Sequence, residues 1–211
     1  MIDLRETHFH KSKDIFSQIR TYPTLITSLN FWLPASTFAL SFSIFGIFFI
    51  GGPYIAVKVF NLSPTVMGIY LASPALGYVL GNILVSRIAN LVSTKNLMVF
   101  GSLILVLGPC SSLLLSNFFL HPLSFYLPIL IMTFGSGIIW PASNAEIVKA
   151  IPHLAGSASG LGSAIMTLMS SFAAFLTGIY IEKTNPMDFV CYFLILVGLL
   201  SFFSSLYSRS K

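Results

Sequence analysis

The fifty residues NLMVFGSLILVLGPCSSLLLSNFFLHPLSFYLPILIMTFGSGIIWPASNA, Asn96 to Ala145, contain no Asp, Glu, Lys or Arg. A single helix of that length would reach about 75 Å at 1.5 Å per residue. The hydrocarbon core of a bilayer is only about 30 Å thick. The run must therefore fold back on itself, and Asn117–Pro122 (NFFLHP) is where turn formers interrupt it. Each half is then long enough to cross a membrane once.

The rest of the chain has the same character. Of 211 residues, 55% are hydrophobic and 8% charged, with mean hydropathy +0.89. Ordinary soluble domains carry about 25% charge. This composition excludes a soluble globular domain and a disordered one. Cutting at Arg87–Lys95, at Glu182–Asp188 and at the other short polar breaks predicts an all-α membrane bundle of six spans, about 34–57, 65–86, 96–116, 124–147, 156–181 and 188–207. Pro64 and Pro152 fall near span starts, where proline is tolerated. Residues 1–33 form a cytoplasmic leader and 208–211 a cytoplasmic tail.

Basic residues set the orientation. With both termini cytoplasmic, Arg5, Lys11, Lys13, Arg20, Arg87, Lys95, Lys149, Arg209 and Lys211 lie inside, and only Lys58 and Lys183 outside. In the leader, Ile15, Ile19, Tyr22, Ile26 and Leu29 recur at helical spacing, with Lys13, Gln18 and Arg20 on other faces. That pattern predicts an amphipathic segment at the interface, bent by Pro23, with Phe31 and Trp32 at headgroup level.

Small residues recur every four positions: Ser73, Gly77 and Gly81 in the second span, Gly156, Gly160 and Ala164 and then Ser170, Ala174 and Gly178 in the fifth. Such stripes let helix backbones approach closely in lipid. They serve either packing within this chain or a face for a partner bundle. The first and fourth spans each carry Gly and Pro in their later parts, Gly46, Gly51, Gly52 and Pro53, then Gly135, Gly137 and Pro141. Interrupted helices at matching places in two inverted three-helix units point to a transport site near the midplane.

Enzyme chemistry finds no support. The acids Asp3, Glu6, Asp14, Glu146, Glu182 and Asp188 all avoid span centres, and His8, His10, His121 and His153 lie in the leader or loops. There are no paired carboxylates or His–acid pairs for acid–base work, so no catalytic residue is assigned. Nor is there Cys or His spacing for a metal, Cys110 and Cys191 being isolated in apolar runs, and no cofactor is called for. The intramembrane acid that a proton-coupled carrier needs is also missing. The basic residues read as topology signals rather than as a nucleic-acid surface.

Three stretches carry a family resemblance: GGPYIAVKVFNLSP (Gly51–Pro64), ALGYVLGNILVSRIANLVSTKN (Ala75–Asn96) and GSGIIWPASNAEIVKAIPHLAGSASGLGSAIM (Gly135–Met166). Together they resemble the C-terminal half of the Bcr/CflA-type drug exporters, inner-membrane transporters of the bacterial major facilitator superfamily. The leader, from about Glu6, resembles the linker between the two halves of that family. The resemblance implies a twelve-span transporter that exports drug-like compounds in exchange for protons, with the first and fourth spans here lining the cavity. Gly81, Asn82, Arg87 and Lys95 match its cytoplasmic loop motif, with Val92 where that motif usually has glycine, and Ala155–Gly160 matches a packing motif.

Two readings follow. One is a half-transporter that needs a separate N-terminal six-helix half or a second copy of itself. The other is a truncated, non-transporting remnant. For transport, the expected cavity residues are Phe45, Phe49, Tyr54, Trp140 and Asn144, since roomy apolar pockets with few polar groups suit small lipophilic substrates. A cytoplasmic gate is expected from Arg87, Glu146 and Lys149, the last two being three residues apart and able to pair.

Overall fold

The computed structural model describes residues 22–210. The leader positions Ile15, Ile19, Lys13, Gln18 and Arg20, with the rest of residues 1–21 and Lys211, lie outside the described residues. A short helix, Tyr22–Ile26, precedes six helices long and apolar enough to span a membrane. These are the first span Leu29–Lys58, the second Pro64–Ile88, the third Thr94–Phe118, the fourth Pro122–Ala150, the fifth Ala155–Tyr180 and the sixth Pro186–Ser210. A 3₁₀ turn, Pro152–Leu154, joins the fourth to the fifth. Because the spans alternate in direction, Arg87, Lys95, Lys149 and Arg209 gather at one end of the bundle, the basic end, and Lys58 and Lys183 at the other.

Two boundaries depart from the sequence reading. The first span starts at Leu29 rather than near 34, so Phe31 and Trp32 lie inside it, and the break falls at Thr27–Ser28 rather than at Pro23. Pro23 sits in the first turn of the short helix, where its missing N–H removes no bond. The second span is two helices, Pro64–Leu71 and Ser73–Ile88. Pro74 is responsible, since it has no N–H to offer the Tyr70 carbonyl. The first and fourth spans are continuous through Pro34, Pro53, Pro128 and Pro141. Their glycines are contact points and not interruptions.

The contacts explain those glycines. A Cβ at Gly77 would overlap the Leu130 carbonyl, and one at Gly81 the Phe134 carbonyl. One turn earlier, the Ser73 hydroxyl donates to the Tyr126 carbonyl at 3.3 Å. The three contacts share one offset, as they must for two parallel helices in continuous register. From the other side, Gly137 meets the Tyr78 carbonyl. On the far flank, Gly46 of the first span meets the Ser170 carbonyl of the fifth in the same way. Gly46 and Gly137 are 91 positions apart, Tyr78 and Ser170 92. The two parallel seams are thus copies of one contact in two oppositely directed three-helix units.

This doubling fixes the layout. The first and fourth spans are central, with 61% and 67% of their apolar windows buried, while the second and fifth are outlying, at 22% and 17%. The third and sixth pack against the central pair and each other. Hydroxyls join the first and sixth near the basic end, where the Ser204 hydroxyl donates to the Leu33 carbonyl at 3.1 Å and lies 2.7 Å from that of Ser36. The largest apolar cluster, including Ile44, Phe48, Phe125, Met132 and Leu194, fills the space between the central spans and the sixth.

Not every stripe is used. Gly156 and Gly160 have nothing within 4 Å of an added Cβ, and Ala164 is exposed. Gly68, 92 positions before Gly160, is equally open. Replacing Gly81 with Ala should therefore destabilise the bundle by about 1–3 kcal/mol, the usual cost of overpacking. Gly160→Ala should leave stability unchanged or raise it by up to about 1 kcal/mol through helix propensity. Unfolding of the two variants in detergent micelles measures both.

Candidate functional site

The second and fifth spans stand apart, and between them lies a groove of about 260 Å³. Its walls are Tyr78 and Asn82 of the second span and Ser159 and Ser163 of the fifth, and its floor is Phe38 of the first with Trp140, Pro141 and Asn144 of the fourth. Trp140 is the hub. Its ring lies 4.6 Å from Phe42, 4.7 Å from Tyr78 and 5.1 Å from Phe45 between centroids, with Phe38 edge-on at 6.5 Å. These separations are in the favourable range for aromatic pairs. Phe38, Phe42, Phe45 and Phe49 stand on one helical face of the first span, and exposed Phe49 continues the row at 6.0 Å from Phe45.

Polar groups are few and uncharged. The Trp140 indole N–H is buried without an acceptor, as is the Ser143 hydroxyl. Among the described residues neither group has a partner, and leaving such a group unpaired costs about 1–3 kcal/mol. The Ser159 hydroxyl donates to the exposed Asn144 side-chain oxygen at 3.4 Å. The Asn82 amide donates to the Tyr78 carbonyl at 3.0 Å, which leaves its own oxygen for other partners. Ser163, Thr167 and Ser171 form an exposed hydroxyl row at four-residue spacing on the fifth span.

Of the cavity residues expected from sequence, the structure brings Trp140 and Asn144 to the groove, packs Phe45 against the Trp140 ring and sets Phe49 beyond Phe45. Tyr54 is elsewhere, packed on the apolar cluster toward the opposite end. The sequence reading passed over Phe38, Phe42, Tyr78, Ser159 and Ser163. The signal for the phenylalanines was their period, which is visible once Trp140 is seen to face them. Asn82, assigned to the loop motif, is a groove residue, and Gly81 one helical step away belongs to the seam.

The polar cluster at the basic end differs from expectation. Glu146 receives a short hydrogen bond from the Thr94 hydroxyl and is paired with the Lys149 ammonium at 3.0 Å. Lys149 also reaches Thr94 at 3.3 Å. Arg87 is exposed at the end of the second span, and among the described residues no hydrogen bond or ion pair joins it to Glu146. The reason is directional: Glu146 turns toward the start of the third span. Lys95, also from the loop motif, lines a cavity shared with Glu146 and Lys149.

Comparison with known proteins agrees with this architecture. The family model described as Major Facilitator Superfamily matches residues 3–174. A curated relative, the uncharacterized MFS-type transporter YdgK of Bacillus subtilis (strain 168), is 24% identical over 155 residues. The match covers 72% of this chain and 38% of the relative, so the chain spans well under half of that protein.

The burial of the two partners ranks their importance. The Lys149 side chain is 62% exposed and that of Glu146 only 15%, so the ion pair is of the screened kind worth about 0.2–1 kcal/mol. The Thr94 bond to a nearly buried carboxylate should be worth about 1.5–3 kcal/mol. Thr94→Val should then cost more stability than Lys149→Gln, and a double-mutant cycle on Glu146 and Lys149 should return a coupling below about 1 kcal/mol. Denaturation in detergent reads all three quantities.

Proposed function

The chain belongs to the major facilitator superfamily, and from that premise we propose that this multi-pass membrane protein is the C-terminal half of an exporter of small, drug-like compounds. The observation that carries the reading is the uncharged aromatic groove around Trp140, which lies between the two spans that the bundle covers least. A roomy apolar surface with a few convergent polar groups suits lipophilic substrates of varied shape. The exposed Ser163–Thr167–Ser171 row supports the same assignment, since hydroxyls fit a polar cavity or a partner better than lipid.

The groove is half a cavity. A six-helix N-terminal half, supplied as a separate chain, closes it over the open glycines of the fifth span; a second copy of this chain is the other way to complete it. The membrane is the bacterial inner membrane, and both termini are cytoplasmic, as the excess of Lys and Arg at the basic end favours. Coupling is by proton antiport. Glu146, Glu182 and Asp188 all sit at helix ends, so the titrating group within the membrane resides on the partner half. Glu146, Lys149 and Thr94 hold the cytoplasmic end, and Arg87 and Lys95 of the loop motif act beside them. The resemblance of the stretches around Pro141 and Ala155 to Bcr/CflA-type motifs supports drug-like molecules as the substrate class. The same scarcity of interior carboxylates favours a second reading, a remnant that no longer transports.

Co-expression with a six-span N-terminal half decides between these. The pair should co-purify and lower the accumulation of a fluorescent lipophilic compound in cells. Trp140→Ala should reduce that export at least tenfold, the effect of losing one well-placed contact worth about 1.4 kcal/mol. If deletion leaves drug susceptibility unchanged and no second half co-purifies, the remnant reading stands.

A further inference from the structure

At the basic end, a second cavity of about 240 Å³ lies apart from the groove, with Asn30 of the first span, Lys95 of the third, Glu146 and Lys149 of the fourth and Ser208 of the sixth in its lining. We propose that it binds the phosphate of an anionic phospholipid headgroup. The claim does not depend on transport.

The electrostatics come first. Two helices begin at this cavity and two end there, so their macrodipoles largely offset one another, and the side chains decide the sign. Among the described residues that line it, two ammonium groups, Lys95 and Lys149, stand with one carboxylate, Glu146. That carboxylate oxygen already accepts from Thr94 and from Lys149 at 3.0 Å. What remains for an incoming group is a net positive charge with the Asn30 amide and Ser208 hydroxyl beside it. Such a set favours a phosphate oxygen over a cation or a neutral ligand.

Position then selects the source. The first turn of the first span carries Trp32, which is partly exposed and whose indole N–H is tied to the Ile26 carbonyl at 2.5 Å. A tryptophan so placed marks headgroup depth. Leu29, the exposed neighbour of Asn30 in the chain, offers apolar surface for acyl chains. Basic pockets between helix ends at a membrane face are suited to acidic headgroups. A lipid held here would bridge four helix ends that meet at one point.

The test uses the full chain purified in detergent, with lipid binding followed by native mass spectrometry. Phosphatidylglycerol should bind better than phosphatidylcholine, and inorganic phosphate at millimolar concentration should not displace it. Lys95→Gln and Lys149→Gln should each weaken the phosphatidylglycerol complex about fivefold, and Lys95→Arg should restore it. Glu146→Gln, which removes the negative charge, should strengthen it, a change of sign that a purely structural role does not produce. Lys58→Gln at the opposite end should have no effect. Equal binding of the two lipids, or phosphatidylglycerol binding undiminished by both lysine substitutions, overturns the proposal. Displacement by inorganic phosphate overturns the lipid source and assigns the cavity to free phosphate.

Discussion

Helices in lipid are not pushed together by water, so they associate only where their backbones come close enough for dispersion and hydroxyl bonds to act. Everything in this bundle depends on a few such places. Gly77 and Gly81 against the carbonyls of Leu130 and Phe134, Gly137 against that of Tyr78, and Gly46 against that of Ser170 set the spacing of the spans. Once the second span is clamped to the fourth and the fifth to the first, the third and sixth have only one side of the central pair left to cover. The opposite side stays open, and the Trp140 groove lies there.

The repeat ties this economy to function. A contact that works once is used again some 91 or 92 residues later with the chain reversed, and the open positions Gly68 and Gly160 repeat as well. Both the seams and the uncovered surfaces thus come in pairs, one toward each end of the bundle. The hub of the groove, in contrast, is not repeated. Trp140 has Phe49 at its repeat-related position, and Phe49 is exposed rather than central. The symmetric frame carries an asymmetric site.

The fold was legible because it rests on quantities that a sequence displays openly, the length of apolar runs and the positions of charges. Six spans and their order required nothing more. The break at Ala72 was missed because Pro74 sits in a span whose ends are already marked by better signals. The cluster at the basic end differs from the spacing argument for a related reason. Spacing brings Lys149 to Glu146 along one helix, but which neighbouring helix faces Glu146 depends on its rotation, and that turned out to favour Thr94 over Arg87. The groove residues Tyr78, Ser159 and Ser163 come from spans that touch it from different sides, and no pattern within one helix announces that they converge. The glycine stripes looked alike in sequence, and only packing separates Gly77 and Gly81, which are covered, from Gly156 and Gly160, which are not.

The division of the second span has a mechanical side. Below Ser73 the helix is fastened turn after turn to the fourth span, and above Ala72 the segment Pro64–Leu71 buries none of its residues. Stiffness is therefore distributed unevenly along a single membrane crossing. Movement of the outer segment would bend the crossing at that joint, where Pro74 offers no N–H to the Tyr70 carbonyl, and would work against the packing of Met67, Tyr70 and Leu71 on the apolar cluster. The short outer piece can lean while the seam beneath it keeps its register.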